Sequence, residues 1–206
     1  MIKLYQSPRS RGSRVMWLLE ELGAPYQIEV VPIRRSNGTG EAAAESYRNI
    51  HPHLKIPAIE HNGATMFETG AIAVYLADLF PEAGLAPQLT DPKRGPYLTW
   101  MFYVSDIIEP AVVAKNNNAT YKPGTVGWGS FDEVEAYLNK SLAKGPYLLG
   151  DNFTAADVIV GGALALLLMR NVVAKTPALE NYVARLQARP AYKRMQDKDN
   201  AMAPAH

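Results

Sequence analysis

The chain has 206 residues, 48% hydrophobic and 20% charged, which places it among ordinary globular proteins able to bury one or two cores. Lys+Arg number 21 against 20 Asp+Glu, a formal net charge of +1 that removes the electrostatic case for a dedicated nucleic-acid or anionic-membrane binder. Cysteine is absent, so disulfides, thiolate zinc sites, iron–sulfur clusters and a cysteine nucleophile are excluded, and thiol chemistry requires a thiol from outside.

Residues 2–5 alternate apolar and polar, and Ser7, Pro8 and Gly12 supply turn chemistry before Val15, Leu18, Leu19 and Leu22 recur at helical spacing. This predicts a strand, a loop and an amphipathic helix that stops at Gly23, with Pro25 beyond it and a second strand over 26–33. The opening is β-α-β and implies a parallel strand pair. A polar, helix-tolerant stretch around 41–49 follows. Residues 56–60 and 64–67 flank His61-Asn62-Gly63, which predicts an antiparallel hairpin turning at Asn-Gly. Glu68-Thr69-Gly70 opens a helix with Ile72, Tyr75, Leu76 and Leu79 on one face, closing near Phe80. Residues 81–96 are dense in proline and glycine and read as a connector. Beyond them the pattern predicts helices over 97–114, 131–142, 155–169 and 178–187, with 115–130 as a mobile loop.

The expected fold class is therefore an α/β thioredoxin-like N-terminal domain (βαβ-α-ββα) over 1–80, a linker over 81–96 and an all-α domain over 97–206. The first residues lack the apolar core and cleavage site of a signal peptide. The longest uncharged run, 158–169, is about half of the roughly 20 residues that span a bilayer, so a cytoplasmic protein without membrane contact is expected.

Four motifs carry a resemblance to the cytosolic glutathione transferases over essentially the whole chain. Ser7-Pro8-Arg9-Ser10-Arg11-Gly12-Ser13-Arg14-Val15, running into Trp17-Leu18-Leu19-Glu20-Glu21-Leu22-Gly23, is similar to the family's catalytic loop and first helix. His51-Pro52-His53-Leu54-Lys55-Ile56-Pro57-Ala58-Ile59 resembles the loop whose cis-proline precedes the hairpin. Phe67-Glu68-Thr69-Gly70-Ala71-Ile72 corresponds to the acidic–hydroxyl pair at the next helix start, and Gly150-Asp151-Asn152-Phe153-Thr154-Ala155-Ala156-Asp157 to the capping motif of the helical domain. Four motifs in the right order are specific where each alone is weak. His51 and Leu54 depart from the Asn and Gly common in relatives, and Thr69 replaces a commoner Ser.

The resemblance implies a bacterial-like, serine-type enzyme that conjugates the thiolate of glutathione to small electrophiles, with a role in detoxification. A free thiol has a pKa near 8.5 and attacks poorly at neutral pH until its thiolate is stabilised. A hydroxyl beside a helix N-terminus can donate to sulfur while the helix adds about half a positive charge. Ser10 fits that place best, with Ser13 and Tyr5 as the other hydroxyls that could serve. Glutathione-binding residues implied by the family are Lys55 for the glycine carboxylate, Ile56 and cis-Pro57 for backbone pairing with the cysteinyl unit, and Glu68 and Thr69 for the γ-glutamyl group. Tyr103 and Ile107, with Asp106, Glu109, Tyr121 and Trp128, are candidates to line the electrophile pocket. Thr154 and Asp157 are expected to be structural caps. His51 and His53 read as exposed loop histidines without partners at metal-site spacing, and no metal or permanently bound cofactor is expected. A homodimer is expected, with Met66, Phe67, Tyr97, Trp100 and Met101 offered for an isologous contact. Other readings of the same site are a glutathione-dependent isomerase, dehalogenase or peroxide reductase, or a non-catalytic binding module of this fold.

Overall fold

Alternation in the first residues does produce a strand, β1 (Ile2–Gln6), and it lies at the centre of a four-stranded sheet. The computed structural model describes residues 1–35, 38–122 and 124–203. They form two compact units: Met1–Ala83 together with the chain from Arg189 onward, and Gly84–Ala188.

In the first unit the sheet order is β2-β1-β3-β4. β2 (Tyr26–Val30) runs parallel to β1 from Ile2↔Tyr26 to Gln6↔Val30, as the βαβ reading required. β3 (Ala58–His61) and β4 (Ala64–Phe67) are antiparallel, turning through Asn62 and Gly63 at φ 51° and 81°, the left-handed pair that an Asn-Gly hairpin uses. β2 stops before Pro32, which has no N–H for the ladder; Val31 N–H still donates to Gln6 C=O at 2.8 Å. Between β2 and β3 the expected helix is absent, and only a 3₁₀ turn (Glu45–Asn49) forms. Tyr47 is the one buried residue there, so the segment has an anchor but no apolar stripe to hold a helix.

Helix α1 (Gly12–Leu22) ends on Gly23 at φ 63°, and α2 (Thr69–Leu79) follows β4. Their buried residues, including Val15, Leu18, Ile72 and Leu76, cover the sheet face that carries Ile2, Leu4 and Ile59. The opposite face holds Tyr5, Ala58, Val31 and Tyr47, capped by Leu54, Ile56 and Phe67. Gly12 is required by packing, because a Cβ there would fall 2.5 Å from the Gln6 Cβ.

The sequence pattern does not predict α8 (Pro190–Met202), which falls within the 97–206 stretch expected to be the helical domain but belongs to the first unit and packs along α1. Arg189 clamps Glu21 through two bonds of 2.7 and 2.8 Å. Glu20, only 8% exposed, accepts from Arg194 at 2.9 Å, from the Tyr26 hydroxyl at 2.5 Å and from the Lys198 ammonium. Burial pushes the Glu20 carboxyl up, but these three donors outweigh it and hold its pKa below the ordinary value.

The second unit is helical throughout: α3 (Arg94–Tyr103), α4 (Glu109–Asn116), α5 (Phe131–Leu142), α6 (Ala155–Met169) and α7 (Pro177–Gln187). α3 and α4 are continuous through a π-helical turn, Val104–Ile108, where Glu109 N–H donates to Val104 C=O. Pro110 has no N–H for the carbonyl one turn back, which accounts for the widened register just before it. At the start of α6, Asp157 reaches back to Thr154 N–H at 2.9 Å and Thr154 Oγ1 at 3.1 Å. It also accepts from Leu148 N–H at 2.9 Å and the Tyr182 hydroxyl at 3.0 Å, so this carboxylate ties α6, α7 and the preceding loop together. Tyr97, Trp100 and Met101 are 0, 5 and 1% exposed. They complete this unit's core, α3 against α6, and are not available for the twofold contact expected of them. Among the described residues no helix is long and apolar enough to cross a membrane.

Candidate active site

The register brings three loops to one end of the sheet. Tyr5 pairs with Ala58 and Ala58 with Phe67, so the chain leaving β1, entering β3 and leaving β4 does so side by side. Each loop contains a non-glycine residue in the left-handed region: Arg9 at φ 54°, Leu54 at φ 52° and Glu68 at φ 72°. Such conformations cost about 1–3 kcal/mol each and persist where the surroundings enforce them. Sequence motifs located all three loops but, apart from Leu54 at a position where relatives commonly have Gly, gave no sign of this backbone strain.

In the first loop Ser10 is half-buried at the approach to α1. Its hydroxyl donates to the Ser7 carbonyl at 2.5 Å and accepts from Gly12 N–H at 3.1 Å. Ser13 instead donates to the Asp199 carboxylate at 3.0 Å, and that same Oδ2 accepts the Arg9 N–H at 2.8 Å. Arg35 donates to the Pro8 carbonyl at 2.8 Å. Tyr5 is 4% exposed, lies 5.7 Å from the Tyr47 ring and donates to Glu60 at 3.0 Å. Burial, reinforced by the Glu60 carboxylate, raises the Tyr5 pKa.

In the second loop the Ile56–Pro57 bond is cis. Ile56 lies just outside the ladder, whose last pairs involve Ala58, and Lys55 is exposed. Tyr47 braces the loop by donating to the Lys55 carbonyl at 3.0 Å. Leu54 N–H closes a turn onto the His51 carbonyl at 3.0 Å, so the loop keeps a tight bend without the expected glycine. His51 is not an exposed histidine: it is 4% exposed, packs 4.7 Å from the Phe67 ring, and its Nδ1 accepts from His53 N–H at 3.2 Å. Burial lowers its pKa, opposed by the Glu68 charge. It therefore serves as a neutral brace, while His53 is exposed.

In the third loop Glu68 is the N-cap residue of α2, and its carboxylate makes no capping bond. The first bond of the helix runs from Ile72 N–H to Glu68 C=O at 2.9 Å, leaving the N–H groups of Thr69, Gly70 and Ala71 at the positive helix end. Glu68 is exposed and Thr69 half-buried. An ammonium is suited to that carboxylate and an anion to those N–H groups. Tyr103 and Ile107, both half-buried, belong to the second unit. The Tyr103 ring lies 5.0 Å from Trp100 and 5.7 Å from Tyr137, and burial, with Tyr137 adding to it, raises its pKa. Ile107 lies within the π-helical turn, and Tyr121 and Trp128 meet edge to face at 5.8 Å.

A thioredoxin-like unit with a cis-proline loop, followed by a helical unit, defines a recognisable class of two-part enzymes. Residues 8–79 match the glutathione S-transferase N-terminal domain and residues 110–185 the glutathione S-transferase C-terminal domain. The chain is 30% identical over 207 residues to glutathione S-transferase PARB of Nicotiana tabacum, covering 93% of this chain and 95% of that protein. It is 29% identical over 209 residues to disulfide-bond oxidoreductase YfcG of Escherichia coli (strain K12), covering 93% and 92%. A crystal structure of a glutathione transferase from Methylococcus capsulatus aligns with a TM-score of 0.81 at 25% identity, over 98% of this chain and 100% of that one. The chain belongs to the glutathione S-transferase family, and it is an enzyme.

Proposed function

We propose that this enzyme stabilises the thiolate of glutathione through the Ser10 hydroxyl, the thiol proton passing to solvent, and that the sulfur attacks an electrophilic carbon of a small molecule, which expels a leaving group or opens a ring or double bond, giving a thioether. One observation carries the choice of Ser10. Of the three hydroxyls that are candidates for activating the thiol, Tyr5 and Ser13 donate to carboxylates, whereas Ser10 donates to a neutral carbonyl. Hydrogen bonds to ionised acceptors are roughly twice as strong as neutral ones, so the Ser10 proton is the one most readily redirected. Rotation of that O–H from the Ser7 carbonyl to a thiolate exchanges a neutral acceptor for an anionic one. Gly12 N–H continues to donate to Oγ throughout, which strengthens the hydroxyl as a donor.

Glutathione is placed along the three loops. Glu68 takes the γ-glutamyl ammonium, Thr69 and the α2 N-terminus its carboxylate, Ile56 beside cis-Pro57 pairs with the cysteinyl backbone, and Lys55 meets the glycine carboxylate. Tyr103 and Ile107 are assigned to the electrophile. Serine-type activation, bacterial character, a detoxifying role, a cytoplasmic setting and a homodimer belong to the same reading. With Tyr97, Trp100 and Met101 inside the core, exposed apolar residues such as Leu79 and Phe102 remain for a dimer contact. Sedimentation at micromolar concentration tests it, a particle of single-chain mass being the refuting result.

The test of the main proposal is calorimetry with glutathione, followed by rate measurements against halo-aromatics, epoxides, enals and hydroperoxides. Glutathione is expected to bind, and Ser10→Ala to lower turnover on the order of 10²-fold near neutral pH, with the pH–rate profile displaced upward. Absence of binding at millimolar glutathione would refute the reading. Turnover of hydroperoxides alone would replace conjugation by peroxide reduction.

A further inference from the structure

We propose that Asp199, on α8, is a positioning residue that holds the loop over residues 7–11 and the first turn of α1 in the conformation presenting Ser10; the inference rests on the Ser10 reading above. Asp199 is 7% exposed, and one of its oxygens, Oδ2, accepts both the Arg9 N–H and the Ser13 hydroxyl, at 2.8 and 3.0 Å. Those donors bracket Ser10, one residue before it and three after. Arg9 is the residue held at φ 54°, so the bond to its N–H fixes the loop at its least favourable backbone position. The same helix reaches the start of the loop a second time, where buried Gln6 donates Nε2–H to Met202 Sδ at 3.7 Å.

The other carboxylate oxygen, Oδ1, is buried and has no hydrogen-bond partner among the described residues, which is unusual for a group that serves packing alone. A buried anion beside this loop also opposes formation of a second anion, the thiolate, so its charge cannot be what assists the chemistry. What it offers is acceptor geometry with charge-strengthened bonds to two loop donors. This makes the sign of a mutational effect diagnostic. If Asp199 acts by holding the loop, removing it misplaces the Ser10 hydroxyl and raises the pKa of bound glutathione. If it acts by charge, removing it lowers that pKa. If it only supports the helix, the pKa does not move.

The experiment titrates the ultraviolet thiolate band of bound glutathione in the full-length protein for wild type, Asp199→Ala, Asp199→Asn and Ser13→Ala, with glutathione affinity measured alongside by calorimetry. Asp199→Ala is expected to raise the bound-thiol pKa towards the free value near 8.5. Turnover should fall on the order of tenfold below that pH and recover above it, while affinity changes less than about threefold. Asp199→Asn keeps the acceptor without the charge, and its titration should match or lie below that of wild type; Ser13→Ala should shift partway towards Asp199→Ala. Amide exchange at Arg9 should accelerate about tenfold or more in Asp199→Ala and much less in Asp199→Asn. A folded Asp199→Ala that titrates like wild type or lower overturns the role of Asp199 alone. A wild type that binds no glutathione overturns the Ser10 reading and this role with it.

Discussion

A hydroxyl assists a thiol only if its proton can turn towards sulfur, and at the scale of single residues this separates the candidates. Tyr5 sits on the first strand where tyrosines of other family classes act, yet its proton is committed to Glu60 and its pKa is raised by burial. Tyr5→Phe is therefore expected to leave the pH–rate profile in place and turnover within about twofold of wild type, any cost appearing in thermal stability from the lost bond, on the order of 1 kcal/mol. A collapsed profile in that variant would return the role to Tyr5. Glu68 presents the reverse case, since its carboxylate makes no cap bond and its conformation is unfavourable for a non-glycine residue. Glu68→Gln should weaken glutathione binding on the order of tenfold to a hundredfold, the loss of a charge-assisted bond of about 1.5–3 kcal/mol, with little change in melting temperature. Calorimetry and a thermal melt on one preparation check both halves.

At the scale of elements, what could be read from the sequence followed from how each element is stabilised. α5 and α6 have the residue bounds that the periodicity predicted; α6 begins on the Thr154–Asp157 pair visible as spacing, and α5 on a second capping box, Ser130 with Glu133, that the structure shows. The hairpin was legible because Asn62-Gly63 suits a turn needing two left-handed residues. α8 was not legible: only Ala191, Met195 and Asp199 are buried along it, and salt bridges to Glu20 and Glu21 hold it instead of an apolar stripe. Polar composition over 41–49 tolerates a helix without demanding one, and only a 3₁₀ turn forms under Tyr47. Asp157 allows a test of this scale, since it satisfies four donors from inside the core. Burial outweighs those donors and raises its pKa, so it is held by geometry at some electrostatic cost. Asp157→Ala should lower stability by roughly 3 kcal/mol or more, seen in denaturant unfolding, because buried donors lose their acceptor.

For the whole molecule, the acid limb of stability should report on Glu20. Its folded pKa lies below the ordinary value, so its contribution is present above the ordinary carboxylate range and is lost as pH falls through the depressed folded value. Glu20→Gln should therefore destabilise at neutral pH by about 1–3 kcal/mol and flatten the decline in acid, measured as melting temperature against pH. An acid limb as steep as that of wild type would assign it to other carboxylates.

The partnership of α1 with α8 also bears on how the protein is made. A ribosome releases the chain from its N-terminus, so the strands and helices up to Ala83 emerge long before Pro190–Met202 exists to cover Glu20 and Trp17. Until residues 189–202 are synthesised, Glu20 and Glu21 have no Arg189, Arg194 or Lys198 to pair with, and Arg9 and Ser13 have no Asp199. The nascent first unit is thus an incomplete module that waits for residues 189–202, and Gly84–Ala188 can fold earlier than the unit that precedes it in the chain. A fragment of residues 1–83 produced alone should be loosely packed and prone to aggregate, and a fusion that appends residues 189–203 to it should recover a cooperative melt.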